Sequence, residues 1–396
     1  MASAKPKVLL AMSGGVDSSV AAALLLDQGC EVVGVFMRLG SPGEEFDRLV
    51  EADRACALSP GTITKGRGCC SVGDAHDARA VAGHLGIPFY VVNFKKEFGR
   101  IIDYFVDEYA AGRTPNPCVR CNEWLKFGRL WEYAEQVGAQ FVATGHYARV
   151  GRGGDGEPRL LRGVSSAKDQ SYVLFGVRRE RLATMVLPVG EFEKPAIRAM
   201  AQERGLPVFD KPDSQEICFV PDDDYAGLVE RRRPDLVREG ELVDAATGAV
   251  IGTHGGHHRF TVGQRRGLGV SKGVPLYVLH KDPASNRVTV GGPEGLLASG
   301  CTAREVNLVC DAALLDDWRP CIAQYRAHGE AAPARARVVG EGENAVLEVE
   351  FEAPQSAVGP GQAMVIYDAV DTDWVLAGGW IDRVCAGARG ADSTVV

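Results

Sequence analysis

No stretch of this sequence approaches the roughly 18 consecutive apolar residues that a membrane-crossing helix requires, and the polar lead Met1–Lys7 runs straight into a strand-like segment, so a cytoplasmic protein with no membrane association is expected. Basic excess is missing too. The 44 Lys and Arg residues are outnumbered by 52 Asp and Glu, leaving a net charge of −8. Such a balance argues against a protein that coats nucleic acid by charge alone, while leaving room for local basic grooves. Two basic clusters exist, Arg231 to Arg233 and Arg259 with Arg265 and Arg266; a solvated surface is the plain reading of each taken singly. Internal repeats and low-complexity tracts are absent. Three motif absences narrow the chemistry further. No lysine precedes a Ser/Thr in Walker A fashion, which disfavours γ-phosphoryl transfer. There is no G-x-G-x-x-G, so a nicotinamide enzyme is not expected. No second C-x-x-C stands at zinc-ribbon spacing, so a closed four-cysteine zinc site lacks support.

What is present is ordinary in bulk. With 396 residues, 45% hydrophobic and 24% charged, the chain can bury sizeable cores and should divide into two or three domains. Eleven cysteines in a reducing compartment would mostly be reduced, so clustered ones read as metal ligands or redox catalysts rather than as a disulfide framework. From Lys7 to Phe209, apolar runs alternate with amphipathic segments, the trace of βα units around a doubly wound parallel sheet. Strands are predicted at Val8–Met12, Glu31–Met37, Phe89–Asn93 and Gln140–Thr144. Helices are predicted near Ser18–Gln28, Asp74–Leu85, Glu97–Tyr109 and Glu123–Val137, three of them stopping at Gly29, Gly86 and Gly138. Phe46–Arg67 interrupts this rhythm as a loop-like insertion ending in Gly68, Cys69 and Cys70, with packing as the default role of those two cysteines. Beyond about Pro221 short β-rich segments such as Pro275–Leu279, Arg287–Val290 and Val346–Phe351 alternate with turns. The expected division is 1–221 for an α/β domain, 222–294 for a small linking domain, 295–385 for a C-terminal β-barrel and 386–396 for a flexible tail.

Ser13, Gly14, Gly15, Val16, Asp17, Ser18 and Ser19 follow the first strand and open the first helix. Paired glycines let backbone N–H groups close on a phosphate, and the helix N-terminus adds about half a positive charge. Hydroxyls of the three serines can add donors. SGGVDSS resembles the signature of the pyrophosphatase-loop ATPases, which cleave ATP between the α- and β-phosphates and adenylate a substrate. The expected nucleotide set runs from Ala11 and Met12 at the strand end through Ser13, Gly14, Gly15, Val16, Asp17 and Ser18. Met37, ending the second strand, can pack on adenine, and Gly145 with His146 follows the strand that ends at Thr144.

Thr114 to Asn122 reads as a proline-stiffened loop before a helix, with Cys118 and Cys121 three apart so that both sulfurs can face one point. A helix N-terminus favours the thiolate. Cys218, in Asp213 to Phe219, supplies a third sulfur. Three cysteines suit either a redox pair with a helper or an iron–sulfur cluster with one exposed iron.

Taken together, SGGVDSS, TPNPCVRCN, TGHYA at Thr144–Ala148, KDQSY at Lys168–Tyr172 and SQEICF at Ser214–Phe219 resemble the bacterial tRNA-specific 2-thiouridylase family over nearly the whole chain. TVGQRRGL at Thr261–Leu268 and GPGQ at Gly359–Gln362 are similar to that family's later landmarks. The resemblance implies an adenine nucleotide alpha hydrolase-like domain that uses ATP and Mg²⁺ to adenylate the 2-carbonyl of the wobble uridine. A cysteine persulfide then attacks the activated carbon. By position it implies Cys218 as persulfide carrier and Cys121 as the cysteine that forms a transient disulfide with it, with Asp17 holding Mg²⁺ or the loop itself. Many relatives carry aspartate at Cys118; cysteine there favours the alternative in which Cys118, Cys121 and Cys218 ligate a [4Fe–4S] cluster that carries hydrosulfide. The resemblance also implies tRNA contact at Asn116, Pro117, Cys118, His146, Lys168, Asp169 and Gln170, and in the barrel at Tyr325, Arg326 and Gln362. The tRNAs would be those for Lys, Glu and Gln, and the sulfur would come from a cysteine desulfurase or relay protein. An anticodon loop suits such a pocket, because extruding an already unpaired base costs only a few kcal/mol. Two other readings remain: a pyrophosphatase-loop ligase of a small molecule, which needs none of the three cysteines, and a non-catalytic tRNA-binding or iron–sulfur scaffold.

Overall fold

The computed structural model describes residues 5–40, 72–213, 217–220, 224–270, 273–327 and 329–387. The insertion with Cys69 and Cys70, and Ser214 to Glu216 of the SQEICF segment, lie outside the described residues. The chain forms two compact units: Met1–Ile101 with Cys118–Asp224, and Ile102–Pro117 with Tyr225–Val396.

In the first unit five parallel strands stand in the order β3-β2-β1-β4-β7, with β1 Lys7–Ala11, β2 Glu31–Arg38, β3 Phe89–Asn93, β4 Phe141–Ala143 and β7 Met185–Val186. Strand β1 is buried almost throughout, as a central parallel strand covered on both faces must be. Helix α1, Val16–Asp27, is apolar nearly all round and correspondingly buried, packing with α2, Val72–Leu85, into the core that contains Val8, Leu10, Val20, Phe36 and Val81. The order reverses at β1, whose neighbours are β2 and β4. That reversal opens a crevice at the C-terminal strand ends between the turn after β1 and the turn after β4. The helices end at the expected glycines, Gly29, Gly86 and Gly138, each with positive φ. A hairpin of β5, Ala148–Arg152, and β6, Pro158–Arg162, leaves the turn after β4 and is not foreshadowed by the sequence pattern.

One helical boundary differs from expectation in a way that matters. The helix expected at Glu123 starts at Pro117, as α4 Pro117–Arg120, continues as a nine-residue π-helix Cys121–Arg129 and ends as α5 Leu130–Gln136. Proline presets the backbone for the first helical position, so Pro117 starts the helix rather than stiffening a loop. Cys118 and Cys121 therefore lie one turn apart on the helix itself. Helix α3, Lys95–Ala110, precedes them and contributes residues to both units.

The second unit carries two β structures. A four-stranded sheet has the order β10-β11-β8-β9, with β8 Gly240–Asp244, β9 Val250–His254, β10 Tyr277–Asp282 and β11 Arg287–Gly291. A closed barrel follows in the order β12-β15-β14-β13-β16-β17, running from β12, Leu297–Leu308, to β17, Val375–Ala386, with β13 Arg319–Gln324, β14 Ala332–Val339, β15 Val346–Ser356 and β16 Ala363–Asp368. Closure leaves this sheet no open edge. Among the described residues no helix is long and apolar enough to cross a membrane.

Candidate active site

The turn after β1 is built to close tightly. Gly14 has φ +75°, and a Cβ there would lie 2.2 Å from the Asp74 carbonyl oxygen, so only glycine fits. Gly15 caps α1 in an extended conformation with no side-chain cap, which leaves the first N–H groups of the helix for a ligand. The serines divide their duties. Ser19 is fully buried and donates to the Gly15 carbonyl at 2.8 Å, so it holds the turn and faces no ligand. Ser18 donates to the same carbonyl and receives the Ser13 N–H, both at 3.2 Å. Ser13 is exposed, with its hydroxyl 3.3 Å from that of Ser18.

Gly145 comes from the other wall of the crevice. A Cβ on it would stand 2.7 Å from the Ser18 nitrogen and 2.9 Å from the Asp17 carbonyl carbon. The turn after β4 is thus pressed against the start of α1, as the strand reversal requires. Ala11 and Met12 are buried at the end of β1, whereas Met37 is only half-buried at the end of β2. His146 is buried; its Nδ1 lies 2.6 Å from Thr144 Oγ1 and its Nε2 lies 3.3 Å from Lys126 Nζ. An ammonium can only donate, so Nε2 accepts and the ring proton sits on Nδ1, directed at Thr144. Burial, seconded by the Lys126 charge, holds His146 well below its ordinary 6.5, so the ring stays neutral.

The charged part of the site centres on a lysine that the motif reading passed over. Lys194 Nζ donates to both Asp17 oxygens at 2.7 and 2.9 Å and to Asp213 Oδ1 at 2.8 Å. Asp213 also receives Lys168 at 2.9 Å and Arg198 at 2.9 Å. Partial burial works against the Asp213 charge, but the Lys194 and Lys168 ammoniums prevail and bring it from 3.8 to about 2. Tyr147 donates its hydroxyl to Asp17 at 2.7 Å, and burial together with the Asp17 charge pushes that phenol upward. Lys211 donates to the Gly14 carbonyl at 3.0 Å and to Asp74 at 2.7 Å. Lys194 and the Tyr147 hydroxyl thus converge on Asp17 and tie the start of α1 to its surroundings. Lys194 was detectable in principle. It occupies the first position of the helix Lys194–Glu203, where the dipole disfavours a cation unless something anionic faces it.

The KDQSY segment resolves into one outward-facing group and two braces. Lys168 is the accessible member, paired with Asp213. The Asp169 carboxylate, 7% exposed, takes Arg162, the Gly163 N–H and the Ser171 hydroxyl. Gln170 accepts the Tyr147 N–H at 2.9 Å and donates its own backbone N–H to the Tyr147 carbonyl at 2.8 Å.

Of the cysteines, Cys118 is exposed while Cys121 and Cys218 are half-buried. The beginning of α3 connects them. Phe98 packs edge-on against Phe219, next to Cys218, with centroids 5.6 Å apart. Two residues on, Arg100 lies 4.0 Å over the Trp124 ring, one turn beyond Cys121. The two cysteine segments are thereby seated on one stretch of helix. Among the described residues no three His, Cys, Asp or Glu side chains converge to hold a metal ion.

In the second unit the barrel residues divide, Gln362 and Tyr325 being tied into the fold and Arg326 exposed. Gln362 donates to the Thr114 carbonyl at 3.2 Å, and the Thr114 N–H donates to the Pro360 carbonyl at 2.9 Å, so the GPGQ turn holds the backbone two residues before Asn116. Pro117, next in line, is buried and Asn116 half-buried. Tyr325 is buried with its ring against Phe351, whereas Arg326 is exposed and stacks on the Tyr325 ring at 5.1 Å.

Comparison with known proteins agrees with this arrangement. The profile described as tRNA methyl transferase HUP domain matches residues 6–222; that of a tRNA methyl transferase PRC-barrel domain matches 229–292, and that of an aminomethyltransferase beta-barrel domain matches 298–381. A tRNA-specific 2-thiouridylase MnmA of Rhodopirellula baltica is 47% identical over 390 residues, covering 95% of this chain and 96% of its own. That of Geobacter metallireducens is 47% identical over 387 residues, covering 96% and 97%. Among solved structures, a 4-thiouridine synthetase–RNA complex with bound ATP is a distant likeness: 20% identity, a TM-score of 0.35, and coverage of 58% of this chain and 51% of that one. The chain belongs to the tRNA-specific 2-thiouridylase MnmA family.

Proposed function

We propose that this protein uses ATP to replace the 2-carbonyl oxygen of the wobble uridine of tRNA with sulfur. The observation that carries the reading is the ion network Asp17–Lys194–Asp213, which joins the phosphate-type loop to the segment bearing Cys218. In the first step the uridine oxygen attacks the α-phosphorus of ATP and pyrophosphate leaves; the open N–H groups at the start of α1 are suited to the phosphate charge. In the second, the terminal sulfur of a persulfide on Cys218 attacks C2 and AMP departs with the original oxygen. The Cys121 thiolate then attacks Cys218 Sγ, the thiocarbonyl is released, and the resulting disulfide is reopened by two electrons from an external thiol. A persulfide donor, a cysteine desulfurase or a relay protein, reloads Cys218.

The persulfide route is the reading adopted here, with Cys218 as carrier; a cluster held by Cys118, Cys121 and Cys218 is its alternative. Mg²⁺ would come with the nucleotide and supply charge neutralisation at the phosphates. The methyl transferase wording of the domain descriptions has less support from the site, where a phosphate-type loop and two cysteine segments stand together. Residues 1–221 are proposed to carry the chemistry, with 222–294 linking and 295–385 supporting tRNA. The test is mass spectrometry of tRNA nucleosides after incubation with ATP and a persulfide source. One 2-thiouridine is expected for each AMP and pyrophosphate formed; AMP formation with no thiolated nucleoside would overturn the proposal.

A second prediction separates bracing from contact in the barrel. Gln362→Ala is expected to lower turnover roughly threefold to tenfold, the equivalent of one net hydrogen bond of about 1 kcal/mol, while tRNA affinity stays unchanged. Weakened affinity at constant turnover in a filter-binding and rate comparison would instead make Gln362 a direct RNA contact.

A further inference from the structure

The TVGQRRGL landmark has no part in the chemistry above, yet its loop is a built object. Phe260 enters it from the core of the four-stranded sheet, and Leu268 and Val270 return the chain to the same core. Between them Gln264 folds the turn. Its Oε1 accepts the Thr261 N–H at 2.9 Å, and its Nε2 donates to the Arg266 carbonyl at 2.9 Å. The backbone of residues 263 and 264 is bonded to Val278 of β10, with the Gly263 N–H donating at 2.8 Å and the Gln264 carbonyl accepting at 3.0 Å. The product of this bracing is the outward display of Arg265 and Arg266, both exposed.

Their electrostatic setting is unusual for their domain. Arg232 faces Asp103, Arg233 faces Asp235, Arg259 faces Glu230 and Arg287 faces Glu241. Arg265 and Arg266 face no carboxylate among the described residues. A protein of net charge −8 repels a polyanion at long range, so what attraction it offers must be concentrated in a few uncompensated cations. Holding them on a rigid turn lowers the ordering cost of using them.

We propose that Arg265 and Arg266 form a sequence-independent clamp on the ribose-phosphate backbone of the bound tRNA. This rests on the proposed function and adds a contact surface to it. The experiment measures tRNA affinity against salt concentration for the intact protein, for Arg265→Gln/Arg266→Gln and for Arg265→Lys/Arg266→Lys. The glutamine pair should weaken binding about tenfold and flatten the slope of log affinity against log salt by about 1.5, two phosphate contacts' worth. The lysine pair should keep most of that slope, which a merely structural role for the loop would not allow. Turnover at saturating tRNA should stay at the wild-type value. An unchanged slope in the glutamine pair overturns the clamp, as does an effect confined to sulfur delivery from the donor protein, which would mark a protein-docking surface. Failure of the wild-type protein to bind tRNA would sink the function itself and so is distinguishable.

Discussion

Cys218→Ser is expected to abolish 2-thiouridine formation, by on the order of a thousandfold or more as for loss of a covalent nucleophile, while tRNA-dependent release of pyrophosphate continues. The reasoning is chemical. A serine hydroxyl keeps the size and polarity of the side chain but cannot carry a sulfane sulfur, so adenylation proceeds and its product goes unused. The substitution should leave the segment seated, because the anchor is the neighbouring Phe219 packed on Phe98. Cys121→Ser separates the two cysteines: sulfur should still load onto Cys218, and a small-molecule thiol should restore part of the turnover by taking over the final attack. Full thiolation by the Cys218→Ser protein, read as thiolated nucleoside per AMP, would remove this cysteine from the mechanism.

Much of this arrangement could be read in advance, for identifiable reasons. Strand β1, Lys7–Ala11, announces itself because a central parallel strand buried on both faces demands a continuous apolar run. The SGGVDSS turn is equally legible, since close approach to a phosphate needs glycine where Gly14 and Gly15 stand. Strand β7 is not legible: with two residues, Met185 and Val186, it has no period. Nor is the π-helix from Cys121, whose wider turns depend on tertiary packing and leave no periodic mark. The site residues divide along the same line. Motif strings locate Gly145 and the cysteines, but they do not show that Asp169 is bonded to Arg162, Gly163 and Ser171, or Gln170 to the backbone of Tyr147. A charged residue's partner lies elsewhere in the sequence. For that reason the partner of Lys194, Asp17 at 177 positions' distance, emerges only from the folded chain.

Lys194→Met is the other substitution expected to act strongly. Methionine keeps the length and apolar stem of lysine and removes only the charge. The ammonium is 11% exposed and bonded to carboxylates on two segments, so its loss takes the ammonium partner from Asp17 and leaves Asp213 to Lys168 and Arg198. A fully buried pair broken in this way costs about 3–5 kcal/mol; the partial exposure of both carboxylates brings the expectation to about 2 kcal/mol. The rate of ATP-dependent pyrophosphate release should fall about a hundredfold, as for removal of one preorganised charge near a reacting phosphate. Lys194 acts here by positioning the loop, so the fall should appear mainly in kcat/KM for ATP, and Lys194→Arg should recover part of it. The pH dependence has a definite sign. Asp213 is depressed from 3.8 to about 2 in the folded protein. Its contribution is thus present above pH 3.8 and disappears as pH falls toward 2, because protonation releases the lysines. The stability gap between wild type and Lys194→Met, measured as the difference in denaturant midpoints, should be full above pH 4 and close as the solution is acidified. A gap that stays constant across that window would mean that Lys194 supports the fold through its stem, with Asp213 indifferent to it.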